Sequence, residues 1–110
     1  QKPICRISAY DVFSAYNEGD PIAVSVLQKA VEMWGMGAAN LVSLLNPQKV
    51  IWGGGVFGPA GIFIDDIYKE ACKWAQPISI RQAEFVPSQL SGNAGLTGAA
   101  FLAIKNHLYE

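Results

Sequence analysis

The sequence predicts an α/β fold in the order helix, long helix, strand, helix, strand, helix, with two parallel strands. Three observations predict it. The stretch from Pro21 to about Leu45 carries apolar residues at spacings of three and four, the period of a helix. Val50-Ile51-Trp52 is a short β-rich run that stops at three consecutive glycines. After one more helical stretch, Ile78 to Val86 alternates apolar and polar residues. A strand–helix–strand unit of this kind places its strands parallel, with a right-handed crossover.

The chain has 110 residues, enough for one domain that buries roughly 65% of its unfolded surface. With 51% apolar and 15% charged residues it has the composition of a globular domain rather than a disordered tail. A formal net charge of -1 supplies no basic field for a nucleic-acid backbone. Met33 to Leu45 is strongly apolar but interrupted by Gly35, Gly37, Asn40 and Ser43. It is shorter than the ~20 residues a membrane span needs and reads as a buried helix. Residues 1–20 lack a secretory pattern. Cys5 and Cys72 therefore read as free thiols of a reducing, cytoplasmic protein. The single histidine, His107, leaves no zinc-ligand spacing and suits the last turn of a helix.

The elements can be justified in order. Ser8 to Asp11 has the form of a capping box, opening a helix from Ala9 to Glu18 that Gly19 ends. Asp20-Pro21 is a cap followed by proline at the first helical position. On the long helix Val24, Leu27, Val31, Trp34, Ala38, Leu41 and Leu45 form one stripe, and Gly35 with Ala39 leaves room for a neighbouring backbone. Asn46-Pro47 stops it. Ile62 to Ala75 reads as a helix burying Ile62, Ile67, Ala71 and Trp74, with Lys69 and Lys73 in solvent. Pro87 to Asn93 reads as a loop and Ala94 to Leu108 as the last helix.

Chemistry concentrates at Gly53-Gly54-Gly55-Val56-Phe57-Gly58. The run follows a parallel strand, where open α/β sheets bind ligands, and glycines let a base or phosphate touch the backbone. On pattern alone it stands between a ligand loop and a bare turn. It also fits the spacing of a dinucleotide fingerprint. Against that, Pro59-Ala60-Gly61 delays the helix and no acid follows Glu84 at the end of the second strand. No Walker lysine is present. A second glycine-rich segment, Ser91 to Gly98, reads as close packing of the last helix on the sheet, or as a helix N-terminus open to an anion. Acid–base candidates are few. Asp65 and Asp66 are adjacent and do not share a helical face, and Glu18 and Glu32 read as solvated.

Three motifs in register resemble the ROK family of sugar kinases and sugar-responsive repressors. The run Leu41 to Val56, LVSLLNPQKVIWGGGV, is similar to the segment that carries the family's triple glycine. Asn17-Glu18-Gly19-Asp20-Pro21 resembles the junction before its long helix, and Asn93 to Ala100 its closing glycine–alanine helix. The match covers the chain from Ser8 onward. The resemblance implies a partial ribonuclease-H-like (actin-like ATPase) lobe, and a chain that is the C-terminal part of a longer ROK protein. It implies that Gly53, Gly54 and Gly55 lie against the adenosine of ATP, with Val56 and Phe57 beside the base. The family's catalytic aspartate, sugar-binding residues and cysteine-rich zinc motif lie upstream, and Cys5 and Cys72 do not match that motif. The parent is then an ATP-dependent kinase of a hexose or N-acetylhexosamine, or a sugar-sensing repressor whose DNA-reading helices lie upstream. This piece is expected to be inactive alone. Its partners are the upstream part of the parent and, through the open edge of Val50 to Trp52 or the Val31–Trp34–Leu41 stripe, a second copy.

Overall fold

The computed structural model describes residues 3–108. After a 3-10 turn at Ile4–Arg6, the elements are α1 (Ala9–Asn17), α2 (Pro21–Leu45), β1 (Lys49–Trp52), α3 (Ile64–Trp74), α4 (Pro77–Gln82), β2 (Glu84–Pro87) and α5 (Ala94–Leu108). β1 and β2 are parallel, with Lys49 opposite Glu84 and Trp52 opposite Pro87. The α/β class and the two parallel strands are as the sequence predicts.

Local chemistry explains the first two helices. The Ser8 N–H donates to Asp11 Oδ2 at 2.7 Å, while the Asp11 N–H reaches Ser8 Oγ at 3.4 Å. These are the two halves of a capping box. Gly19, at φ +82°, closes α1. Its N–H donates to the Tyr16 carbonyl and that of Asp20 to the Ala15 carbonyl, the paired bonds of a Schellman turn. Asp20 then caps α2 by accepting from the N–H groups of Ile22 and Ala23 at 2.8 and 3.0 Å. At the far end Asn46 turns left-handed, at φ 47°, a conformation asparagine tolerates better than most residues. Pro47 prevents resumption.

α2 is the axis of the molecule, and α3 packs along it. The core has two lobes. One gathers Ala38, Ala39, Val42, Ala71, Ala75, Ile80 and Ala83. The other gathers Phe13, Leu27, Val31, Ala60, Phe63 and Ile67. Trp52 and Phe85 touch both, so the two strands tie the lobes together. The buried line on α2 runs Leu27, Val31, Gly35 and Ala39, with Ala38 and Val42 beside it. That is the spacing-of-four row along which helices interdigitate. At Gly35 the backbone of α3 comes so close that a Cβ would sit 2.5 Å from Glu70 Cβ and 3.1 Å from the Ala71 nitrogen.

Four expectations are corrected. Leu41 and Leu45, assigned to the buried stripe, are exposed, because burial follows the row of fours rather than alternating threes and fours. Ile62 and Trp74 are also exposed. Ile62 falls in a 3-10 turn, Pro59–Phe63, whose tighter winding buries Ala60 and Phe63 in its place. Beyond Ala71 the buried line of α3 goes on by four to Ala75, leaving Trp74 aside. The second strand is shorter than Ile78 to Val86. Its first half is α4, where the Gln76 side chain accepts from the N–H groups of Ile78 and Ser79 at 2.9 and 2.7 Å and Pro77 takes the first helical position. The Tyr68 hydroxyl donates to the Ile80 carbonyl at 3.1 Å and holds this turn to α3. Burial pushes the Tyr68 phenol above its usual pKa, with Cys72 adding to the shift.

The fourth correction concerns α5. Its early small residues were expected to pack on the sheet. Instead, nothing lies within 4 Å of a Cβ built at Gly95 or Gly98, and Leu96, Phe101, Leu102, Ile104 and Leu108 are exposed. Apolar residues are spread around this helix, so no single stripe commits it to the core.

Candidate functional site: the glycine loop at the strand ends

Both parallel strands finish at the same edge, and the Ser88 N–H extends their pairing by donating to the Trp52 carbonyl at 2.7 Å. The loop from Gly53 starts there. Gly53 passes so close to the other strand's continuation that a Cβ on it would lie 3.1 Å from Ser88 Cβ. Gly54 has φ 92° and ψ 173°, a region open essentially to glycine alone. A 3-10 turn over Gly55–Phe57 follows, and the Phe57 N–H donates back to the Gly54 carbonyl at 3.1 Å.

The loop is fixed from below and from the side. The ring of Phe57 points into the core, with its centroid 5.0 Å from that of Trp34 and 4.9 Å from that of Trp52. Trp52 in turn stacks obliquely on Phe85 at 5.7 Å. From α1 the Tyr10 hydroxyl donates to the Gly55 carbonyl at 3.2 Å. Gly53, Gly54, Gly55 and Val56 face solvent, so a rigid floor supports an open backbone surface. The five residues singled out in the sequence thus form one unit, four at the surface and Phe57 as its anchor. Tyr10 was not legible as a member. It is far away in sequence, and no local pattern around it signals the contact.

The second glycine-rich segment arrives at the same place. Its 3-10 turn, Ser91–Asn93, lies against the turn at Gly55–Phe57, so the start of α5 stands beside the loop. The two arguments against a dinucleotide site hold in three dimensions. α3 does not begin until Ile64, and Glu84 opens β2 rather than closing it, lying 3.9 Å from Lys49.

No acid–base set gathers around the loop among the described residues. Asp65 and Asp66 are exposed on α3, and Asp66 pairs with Lys69 at 3.5 Å. Glu32 pairs with Lys29 at 3.1 Å and Glu70 with Lys73 at 2.6 Å. Cys5 and Cys72 are free and exposed. A cleft of about 500 Å³ between α1, α2 and α3, lined by Tyr16, Gln28, Phe63 and Lys73 among others, shares no residue with the loop. No helix among the described residues is long and apolar enough to cross a membrane.

This loop and its flanking elements match a known family: the sequence profile described as "ROK family" matches residues 1–106. The chain belongs to the ROK family. It is 34% identical over 96 residues to a glucokinase of Halalkalibacterium halodurans, covering 87% of this chain and 29% of that protein. The chain thus spans under a third of that relative's length. Two solved structures are similar. A ROK family transcriptional regulator, homologous to the E. coli MLC protein, superposes with a TM-score of 0.65 at 28% identity, over 74% of this chain and 21% of the other. A sugar kinase from Cytophaga hutchinsonii, itself of putative assignment, superposes with a TM-score of 0.76 at 23% identity, over 92% and 34%. The fold of this ROK chain is therefore part of an actin-like ATPase lobe.

Proposed function

We propose that this ROK chain is the nucleotide-side part of an ATP-dependent sugar kinase acting on a hexose or N-acetylhexosamine. In this reading Gly53, Gly54 and Gly55 form the surface against which adenosine lies. Val56 and the backbone of Phe57 stand beside the base. The observation that carries it is Gly54, whose glycine-only conformation opens the backbone to solvent at the ends of two parallel strands. The residues fit the group at the base end, because a flat ring needs a surface free of Cβ atoms. ATP supplies the phosphoryl group. The chain's own part is to position adenosine, and in phosphoryl transfer positioning is a large share of catalysis. The sugar site and the base that activates the sugar hydroxyl belong, in this reading, to further parts of a longer cytoplasmic protein.

A repressor is the second reading, favoured by the likeness to a ROK transcriptional regulator. Upstream sequence separates the two. ATP-dependent phosphorylation of glucose by the longer protein supports the kinase. Sugar-dependent release of DNA without turnover supports the repressor.

The direct test is titration of the labelled chain with ATP, followed by NMR. Shifts are expected at Gly53 to Phe57, with a Kd in the high micromolar to millimolar range, because a site between lobes loses most of its contacts when one lobe is absent. No shift at these residues in millimolar ATP would refute the loop assignment. Submicromolar affinity would refute the half-site reading.

Self-association belongs to the same proposal. The outer edge of β1 is unpaired among the described residues. Of the stripe named from sequence, Val31 is buried and Trp34 half-buried, leaving Leu41 exposed together with Met33, Leu44 and Leu45. Open edges and apolar patches promote pairing. Sedimentation at micromolar concentration should give a species larger than a monomer, and a clean monomer would contradict it.

A further inference from the structure

We infer that Tyr10 is a positioning residue for the nucleotide loop, setting its shape through the Gly55 carbonyl. The inference rests on the adenosine reading of Gly53 to Phe57 and extends it to a residue on a different element.

The loop has three attachments, and they differ in kind. At its start it is continuous with β1, where the Trp52 carbonyl is held by the Ser88 N–H. At its end the Phe57 ring is wedged between Trp34 and Trp52. Between these lie Gly54 and Gly55, which have no side chains to pack and carry the largest conformational freedom of any residue. The hydroxyl of Tyr10 reaches this middle portion, donating to the Gly55 carbonyl at 3.2 Å. The same oxygen lies 3.8 Å from where a Gly55 Cβ would be. Tyr10 is thus a strut from α1 to the most pliable part of the loop.

The strut is itself held at its base. Tyr10 lies in the first turn of α1, beside the capping box that fixes that turn. α1 is anchored to the core by Phe13, whose ring lies 6.5 Å from that of Phe63. Tyr10 is 63% exposed, so it contributes little to the core. Burial does not require an aromatic residue here. Its hydroxyl contact does require a side chain of tyrosine's reach. The bond to Tyr10 fixes the direction of the Gly55 carbonyl, and with it the peptide plane between Gly55 and Val56. That plane carries the Val56 N–H, one of the backbone groups at the surface proposed to meet adenosine.

The test is Tyr10→Phe, which removes one oxygen and leaves the ring. Two readouts are needed. Without nucleotide, amide exchange at Phe57, whose N–H donates to the Gly54 carbonyl, should accelerate severalfold. With ATP, the affinity measured by NMR titration should weaken about three- to tenfold, the range for loss of one hydrogen bond. The thermal midpoint should fall by only a few degrees, the worth of one exposed hydrogen bond. p-Aminophenylalanine at position 10 restores a donor and should recover most of the affinity. Unchanged loop exchange, or parental ATP affinity in Tyr10→Phe, overturns the role of Tyr10 while leaving the adenosine loop standing. Absence of ATP binding by the unmodified chain overturns both readings. A large fall in thermal midpoint with no recovery by the amino analogue would make Tyr10 a structural residue and also overturn the inference.

Discussion

Valine in place of Gly35 should lower the stability of this ROK chain by about 1–3 kcal/mol, the cost of forcing extra carbon into a packed contact. A Cβ at this position would lie 2.5 Å from Glu70 Cβ, 3.1 Å from the Ala71 nitrogen and 3.2 Å from the Glu70 carbonyl carbon. Two of these three atoms are backbone, so no side-chain rotation relieves the clash. α3 would have to move off α2 as a body. Ile67 and Ala71, both fully buried, are carried on α3 and would lose contacts as it moved. Gly37→Ala is the matched control on the same helix, because nothing lies within 4 Å of a Cβ there. It should stabilise by up to about 1 kcal/mol through helix propensity alone. Thermal unfolding should therefore move the two variants in opposite directions, by about 4–8 °C per kcal/mol for a domain near this size. Equal midpoints would mean that the two helices are not in close contact at Gly35.

Gly35 also marks where sequence reading succeeds and where it stops. Its lack of a side chain, with Ala39 one turn on, signalled a close backbone approach, and the signal is local. The boundaries of α1 and α2 were legible for the same reason. Ser8, Asp20-Pro21 and Asn46-Pro47 act within a turn of themselves. Which apolar residues of α2 would be covered was less legible, since Leu41 and Val42 are equally apolar and only the placement of α3 chooses between them. α4 was misread as strand because Ile78-Ser79-Ile80-Arg81 alternates, although the doublet Arg81-Gln82 breaks the phase before Ala83 and Phe85. The deciding contacts were the Gln76 side chain beneath the turn and the bond from Tyr68 to Ile80. At the site, the glycines announced themselves. Tyr10 did not, because its contact to Gly55 joins residues 45 apart in sequence, and no periodicity encodes it.

Valine at Gly54 should abolish the ATP-induced shifts in the loop and cost about 1–3 kcal/mol of stability, the strain of holding a side chain in a glycine-only conformation. The cause is conformation rather than space. Nothing lies within 4 Å of a Cβ built at Gly54, yet its φ is +92°. The chain can respond in two ways. It can keep the loop path and carry the strain, which would appear as lower stability with partial binding. Otherwise it can flip the backbone at Gly54, which breaks the bond from the Phe57 N–H to the Gly54 carbonyl and displaces the Gly55 carbonyl from Tyr10. The second response is the expected one, because two hydrogen bonds of about 0.5–1.5 kcal/mol each are comparable with the strain they would have to withstand. The Phe57 ring should stay between Trp34 and Trp52, since burial rather than loop path holds it there, so the damage should remain local to residues 53–56. Gly61→Ala provides the contrast. That glycine also has open space around it, but its φ is not positive, so the variant should bind ATP as the parent does. If Gly54→Val kept the parental shifts, the glycine-only geometry would be incidental to binding, and the argument that carries the nucleotide reading would fail.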